Sequence, residues 1–197
     1  MNENIKFTII LICLLIALTN RQSVLNRLDK SLLILGMLFT VVSDFFLIIM
    51  NLFTIGVFFF CFVHVFYIMR YSRASVVKFL PLVLIPAFIL FFIADKDLLI
   101  FFASIYAQLF ILSYGLTIRS FIKKRYPFPN NYLILLGMTL FLLCDICVLL
   151  INTNRISFLS INNDFSFARQ AIWFFYIPSQ LFLSLSAYKL NKNLQTL

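Results

Sequence analysis

Apolar residues fill this chain in seven long blocks, at 5–19, 31–50, 53–69, 79–94, 98–118, 132–151 and 168–190. Short polar stretches part them. Inside a block almost every position is apolar, so no face is left for water. A helix that is apolar all round is buried in protein or in lipid. Crossing the hydrocarbon core takes about 20 residues as a helix, and most blocks come close to that. The block 5–19 is shorter and is compatible with an interfacial position. Its n-region has one Lys against one Glu, and no small-x-small cleavage site follows, so it reads as a retained helix rather than a signal peptide. Pro81, Pro86 and Pro178 fall inside blocks, where neighbouring helices can re-satisfy the freed carbonyls. The pattern predicts an all-α, polytopic transmembrane helix bundle of about seven spans, in one domain over 1–197.

The polar stretches set an orientation. The loops 20–30, 70–78 and 119–131, with the C-terminal end from Lys189 on, hold twelve of the 16 Lys and Arg residues. All of these fall on one side of a seven-span chain. Loops rich in Lys and Arg stay cytoplasmic, which predicts a cell-membrane protein with its N-terminus outside and its C-terminus inside. The net charge of +9 then lies beside anionic lipid headgroups, and nucleic acid is not an expected partner. Composition agrees, since 63% of the residues are hydrophobic where a soluble domain has about half. Cys13, Cys61, Cys144 and Cys147 all sit in apolar blocks and read as packing residues. The pair Cys144-x-x-Cys147 lies one turn apart on a membrane helix, which also favours packing over redox chemistry.

Two blocks share a motif. Gly36-Met-Leu-Phe-Thr-Val-Val-Ser-Asp44 is followed, 101 positions later, by Gly137-Met-Thr-Leu-Phe-Leu-Leu-Cys-Asp145. Each aspartate stands six residues before its block ends, roughly 9 Å in from the boundary at 1.5 Å per residue. Four crossings separate the blocks, so they run the same way, as in a parallel internal repeat. A carboxylate at that depth costs several kcal/mol unless paired, wetted or protonated, and is read first as functional. Other blocks offer polar faces as well: Cys61, His64 and Tyr67; Tyr106, Ser113 and Thr117; Tyr176, Gln180 and Ser184. Residues three or four apart share a helix face. Ser, Thr and Gln in membrane helices commonly just cement neighbours, His64 alone would suit a satisfied core histidine, and Trp173 suits packing or an interfacial belt. The aspartates resist that explanation. One histidine cannot make a three-His zinc site, and neither a phosphate-binding glycine loop nor a Gly-x-Ser-x-Gly elbow occurs. No metal and no cofactor are expected.

The segments Gly36 to Leu47, Phe59-x-x-x-Val63-His64-x-x-Tyr67, Tyr106, Gly137 to Asp145 and Trp173-x-x-Tyr176-x-x-x-Gln180 together resemble the YhhN-like lysoplasmalogenase family, in its order and spacing, over roughly 32–186. Three features depart from its pattern. Seven spans stand where the family usually has eight, the Lys-Pro pair usual near the second span is absent, and Ser43 replaces the Gly before the first aspartate. The resemblance implies a multi-pass hydrolase of the vinyl ether bond of lysoplasmalogen, a lysophospholipid. Its products are a fatty aldehyde and glycerophosphoethanolamine or glycerophosphocholine. The family's paired intramembrane aspartates map to Asp44 and Asp145.

Such a bond hydrolyses by protonation of its β carbon, addition of water to the oxocarbenium ion and collapse of the hemiacetal. A carboxyl pair in two environments supplies both the acid and an anion to steady the cation. His64 and Tyr67 would tune protonation or position water, and Tyr176 and Gln180 would bind the glycerol or phosphate. Two other classes fit the residues: a proton- or ion-coupled transporter with the aspartates as carrier sites, and a non-catalytic lipid-binding protein.

Overall fold

The computed structural model describes residues 3–19, 27–72, 80–94, 96–152 and 166–187. They form seven α-helices: α1 (Glu3–Thr19), α2 (Arg27–Asp44), α3 (Phe53–Ser72), α4 (Leu80–Ile93), α5 (Leu98–Ile122), α6 (Asn130–Asn152) and α7 (Ser166–Leu185). A π-helical turn, Phe45–Ile49, prolongs α2. No strand occurs among the described residues. Four helices are long and apolar enough to cross a membrane: α2 with its π turn, α3, α5 and α6.

Helix neighbours close a ring. In order around it, α1 packs on α2, α2 on α3, α3 on α5, α5 on α6, α6 on α7 and α7 on α1. Helix α4 stands outside, against α5, with Leu82, Phe92 and Ile93 each more than three-fifths exposed, as a lipid-facing helix would be. The ring order sets α2 opposite α6 and α3 opposite α7. This is the order expected if α5–α6–α7 repeats α1–α2–α3 about an axis through the ring.

Lipid is as apolar as leucine, so close packing rather than expulsion from water holds membrane helices together. Gly137 shows how close. A Cβ there would come within 2.8 Å of Leu183 and 3.2 Å of the Ser179 carbonyl, so α6 and α7 meet backbone to side chain. The motif glycine of α2, Gly36, serves the same end, since its Cβ would lie 3.0 Å from the Tyr67 ring. Aromatic rings fill the wider spaces. Phe141, almost fully buried, touches Phe60, Phe110 and Tyr176 with centroids 5.5–6.0 Å apart.

The sequence limits of the helices need correction at one end of the bundle. Residues 27–30, 70–72 and 119–122 were expected in basic loops, yet they are helical. Arg70 is 2% exposed and Asp29 5%. Arg70 gives Nε and Nη2 to the two carboxylate oxygens of Asp29, at 3.3 and 3.4 Å, and Nη1 to Ser186 Oγ at 3.0 Å. The Tyr126 hydroxyl donates to Asp29 at 2.6 Å, and Asn130 Nδ2 donates to the Ser186 carbonyl at 2.9 Å. Burial holds the Tyr126 phenol well above its usual range, so it stays a neutral donor. Charges that satisfy one another need no loop to reach water, which is why the helices run on. This clamp joins the start of α2, the end of α3, the start of α6 and the end of α7. It shows directly that α2 and α6 run parallel.

At the other end, Asn51 adopts a left-handed backbone (φ 54°) between the π turn and α3. The Asp97 side chain caps α5 by accepting the Leu99 N–H at 2.7 Å. The expected limits 168–190 also shift, since α7 begins at Ser166 and ends at Leu185. The expected 152–167 loop and the C-terminal tail lie almost wholly outside the described residues.

Candidate functional site

Asp44 follows Asp29 by 15 residues and Asp145 follows Asn130 by 15. At 1.5 Å per residue both carboxylates stand about 22 Å from the clamp, at one level of two parallel helices. Ring order puts them on opposite helices. Each is held by a tyrosine from a different helix. The Tyr176 hydroxyl of α7 donates to Asp44 Oδ2 at 2.7 Å, and the Tyr106 hydroxyl of α5 donates to Asp145 Oδ2 at 2.5 Å. These are short bonds, in the range of hydroxyls donating to carboxylates. No hydrogen bond joins the two carboxyl groups among the described residues. Cys144, one position before Asp145 and equivalent to Ser43, is buried.

The two halves of the repeat are not copies at this level. Asp44 is 3% exposed, whereas Asp145 and Tyr106 are partly exposed. Directly after Asp44 the helix widens into the π turn, while α6 continues as regular helix to Asn152. Such turns are frequent at functional positions. A further tie fixes α2 there: Ser43 Oγ donates to the Gly56 carbonyl of α3 at 2.6 Å. The one motif position that departs from glycine thus has a bond of its own.

His64 lies among the rings of Phe110 (4.7 Å), Tyr106 (5.1 Å), Phe141 (5.6 Å) and Tyr67 (6.1 Å). Its Nδ1 pairs with Ser113 Oγ at 2.9 Å, and its Nε2 has no partner. Gln180, one turn beyond Tyr176 and fully buried, leaves both amide atoms unpartnered, as does the neighbouring Ser179 hydroxyl. Buried polar atoms without partners are rare in folded proteins and call for an explanation. Tyr67 behaves differently. Its hydroxyl points to the Met37 sulfur at 3.8 Å and its ring stacks on Tyr71 at 5.9 Å, towards the clamp rather than the carboxylates. Of the seven residues singled out from sequence, the structure draws Asp44, Asp145, His64, Tyr106 and Tyr176 into one aromatic-walled cluster. It sets Gln180 just below.

Two further residues join the cluster: Trp173, expected from sequence in packing or an interfacial belt, and Lys6. Trp173 stands against Tyr176 at 5.8 Å, and Lys6 of α1 holds its ammonium 4.4 Å above the indole. Among the described residues Lys6 has no carboxylate at ion-pair distance. Only its place at the start of the first block could have flagged it.

Fold and site together define an all-helical membrane protein with two interior carboxylates at one level of the bundle. The chain belongs to the YhhN family, whose model matches residues 3–187. No curated protein and no solved structure matches the chain.

Proposed function

We propose that this chain is a membrane hydrolase that cleaves the vinyl ether bond of lysoplasmalogen to a fatty aldehyde and a glycerophospho-alcohol. The observation that carries the reading is the carboxyl pair, each member anchored by its own tyrosine and set in a different degree of burial. Protonating a carbon needs a positioned acid, and the cation that follows needs a nearby anion. Two carboxyl groups in unlike surroundings divide those tasks. A hydrocarbon chain is at home between apolar helices, so the substrate can bring its tail in from the lipid. The unpartnered amide of Gln180 and hydroxyl of Ser179 suit the substrate's glycerol hydroxyl and the ether oxygen. Lys6, over the Trp173 ring and without an ion pair among the described residues, suits a headgroup phosphate. By the distribution of basic residues, the carboxylate end faces outward and the clamp end faces the cytoplasm.

The test is direct. Purified protein is incubated with lysoplasmalogen and, in parallel, with an ester lysolipid of the same headgroup. Fatty aldehyde from the first and no fatty acid from the second is the expected result. Substrate-dependent uptake or current in proteoliposomes with no aldehyde formed would replace the hydrolase reading by a carrier one.

A further inference from the structure

We infer that His64 is the base that takes a proton from the hydrating water, with the two carboxyl groups serving the protonation step; this rests on the vinyl ether reading above. The starting point is a proton count. Ser113 Oγ lies 2.9 Å from His64 Nδ1 and 2.9 Å from the Phe110 carbonyl. Ser113 has a single proton. Given to the carbonyl, it leaves Oγ free to accept from Nδ1–H, and both contacts become hydrogen bonds. Given to the imidazole, it makes one bond and leaves the carbonyl contact empty. The arrangement with two bonds puts the imidazole proton on Nδ1 and the lone pair on Nε2. That nitrogen is fully buried and has no partner.

The ring's neighbours tie it to both carboxyl groups. Tyr106, at 5.1 Å, carries the hydroxyl that holds Asp145. Phe141, at 5.6 Å, packs on Tyr176, which holds Asp44. The imidazole is therefore one side chain removed from Asp145 and two from Asp44, with its basic nitrogen unengaged. A base so placed completes the reaction without a cofactor. A carboxyl group gives its proton to the β carbon and becomes a carboxylate. Water adds its oxygen to the oxocarbenium carbon while one of its protons passes to Nε2. The hemiacetal then breaks its bond to the glycerol oxygen, which takes the proton back from the imidazolium. The hemiacetal hydroxyl returns its proton to the carboxylate, leaving aldehyde and alcohol.

Hydrogen exchange separates the two steps. In D2O, a protein that protonates the β carbon but cannot hydrate the cation returns vinyl ether carrying deuterium at that carbon. His64→Gln is expected to lower aldehyde release by about 10²- to 10⁴-fold, with little change in KM, while the recovered substrate gains deuterium. Asp44→Asn and Asp145→Asn should lose aldehyde and exchange together. Ser113→Ala, which keeps the imidazole but removes its anchor, should show the His64→Gln pattern in weaker form, and it carries the test if His64→Gln does not fold. Aldehyde release within threefold of the parent in either variant overturns the inference, and so does joint loss of aldehyde and exchange in folded protein. Absence of aldehyde from the unaltered protein would instead overturn the hydrolase reading.

Discussion

Removing either partner of the Asp29–Arg70 clamp should cost far more than removing both. Arg70 makes three side-chain bonds, two to Asp29 and one to Ser186, and Asp29 also takes the Tyr126 hydroxyl. Asp29→Leu leaves a guanidinium with the Ser186 hydroxyl and the Tyr71 and Tyr126 rings but no counter-charge, in a place where its side chain is 0% exposed. Arg70→Met leaves a buried carboxylate without its guanidinium. Stripping a buried charge of its counter-charge costs about 3–5 kcal/mol, whereas exchanging a buried pair for packed apolar groups is often neutral. The double variant Asp29→Leu/Arg70→Met should therefore recover to within about 1 kcal/mol of the parent, a coupling of several kcal/mol between sites in contact. The assay is unfolding in mixed micelles on titration with SDS, followed by circular dichroism. Single-variant losses below about 1 kcal/mol, or losses that simply add in the double variant, would refute the clamp as a desolvated pair. Because the clamp stands about 22 Å from the carboxylates, the double variant should keep its aldehyde release.

Other outcomes follow from single contacts. Tyr176→Phe and Tyr106→Phe each remove one bond to a carboxyl group, worth about 1.5–3 kcal/mol when the acceptor is charged, so turnover should fall roughly 10- to 100-fold in each, read as initial rate of aldehyde formation. Gly137→Ala pushes a methyl against Leu183 and the Ser179 carbonyl and should destabilise by about 1–3 kcal/mol. Gly115→Ala on α5, where nothing lies within 4 Å, should be neutral or stabilising by up to about 1 kcal/mol, and thermal melts in detergent compare the two. Lys6→Gln should raise KM for lysoplasmalogen several-fold with kcat kept, and should leave KM unchanged for an alkenyl glycerol that lacks the phosphate.

The carboxylates were legible from sequence because a charge in an apolar run is conspicuous and the motif is repeated. Their common level follows from the same spacing in both halves. The clamp was not legible. Asp29 and Arg70 lie 41 positions apart at the edges of basic stretches, where charges look solvated, and only their mutual contact turns them into helix. The tyrosine partners were named, but as polar lining or substrate-binding groups. Sequence shows which helix face carries a residue, not which carboxylate its hydroxyl reaches across the ring. Tyr67 shows the limit of such face arguments. It shares a face with His64 and yet turns to Met37, because three residues along a helix also move it about 4.5 Å down the bundle. The π turn after Asp44 had no signal in a run of Phe, Leu and Ile.

Aldehyde release by the Asp44→Asn and Asp145→Asn variants tests the central claim most directly. Each replaces one carboxyl group by an amide of nearly the same shape, so the bundle should fold as before, with a melting temperature close to the parent's. Purified parent protein should convert lysoplasmalogen to fatty aldehyde, and both variants should lose that activity by at least 10²-fold, the low end of what a positioned acid or base contributes. Parent-like aldehyde release from folded Asp44→Asn and Asp145→Asn proteins would contradict the account.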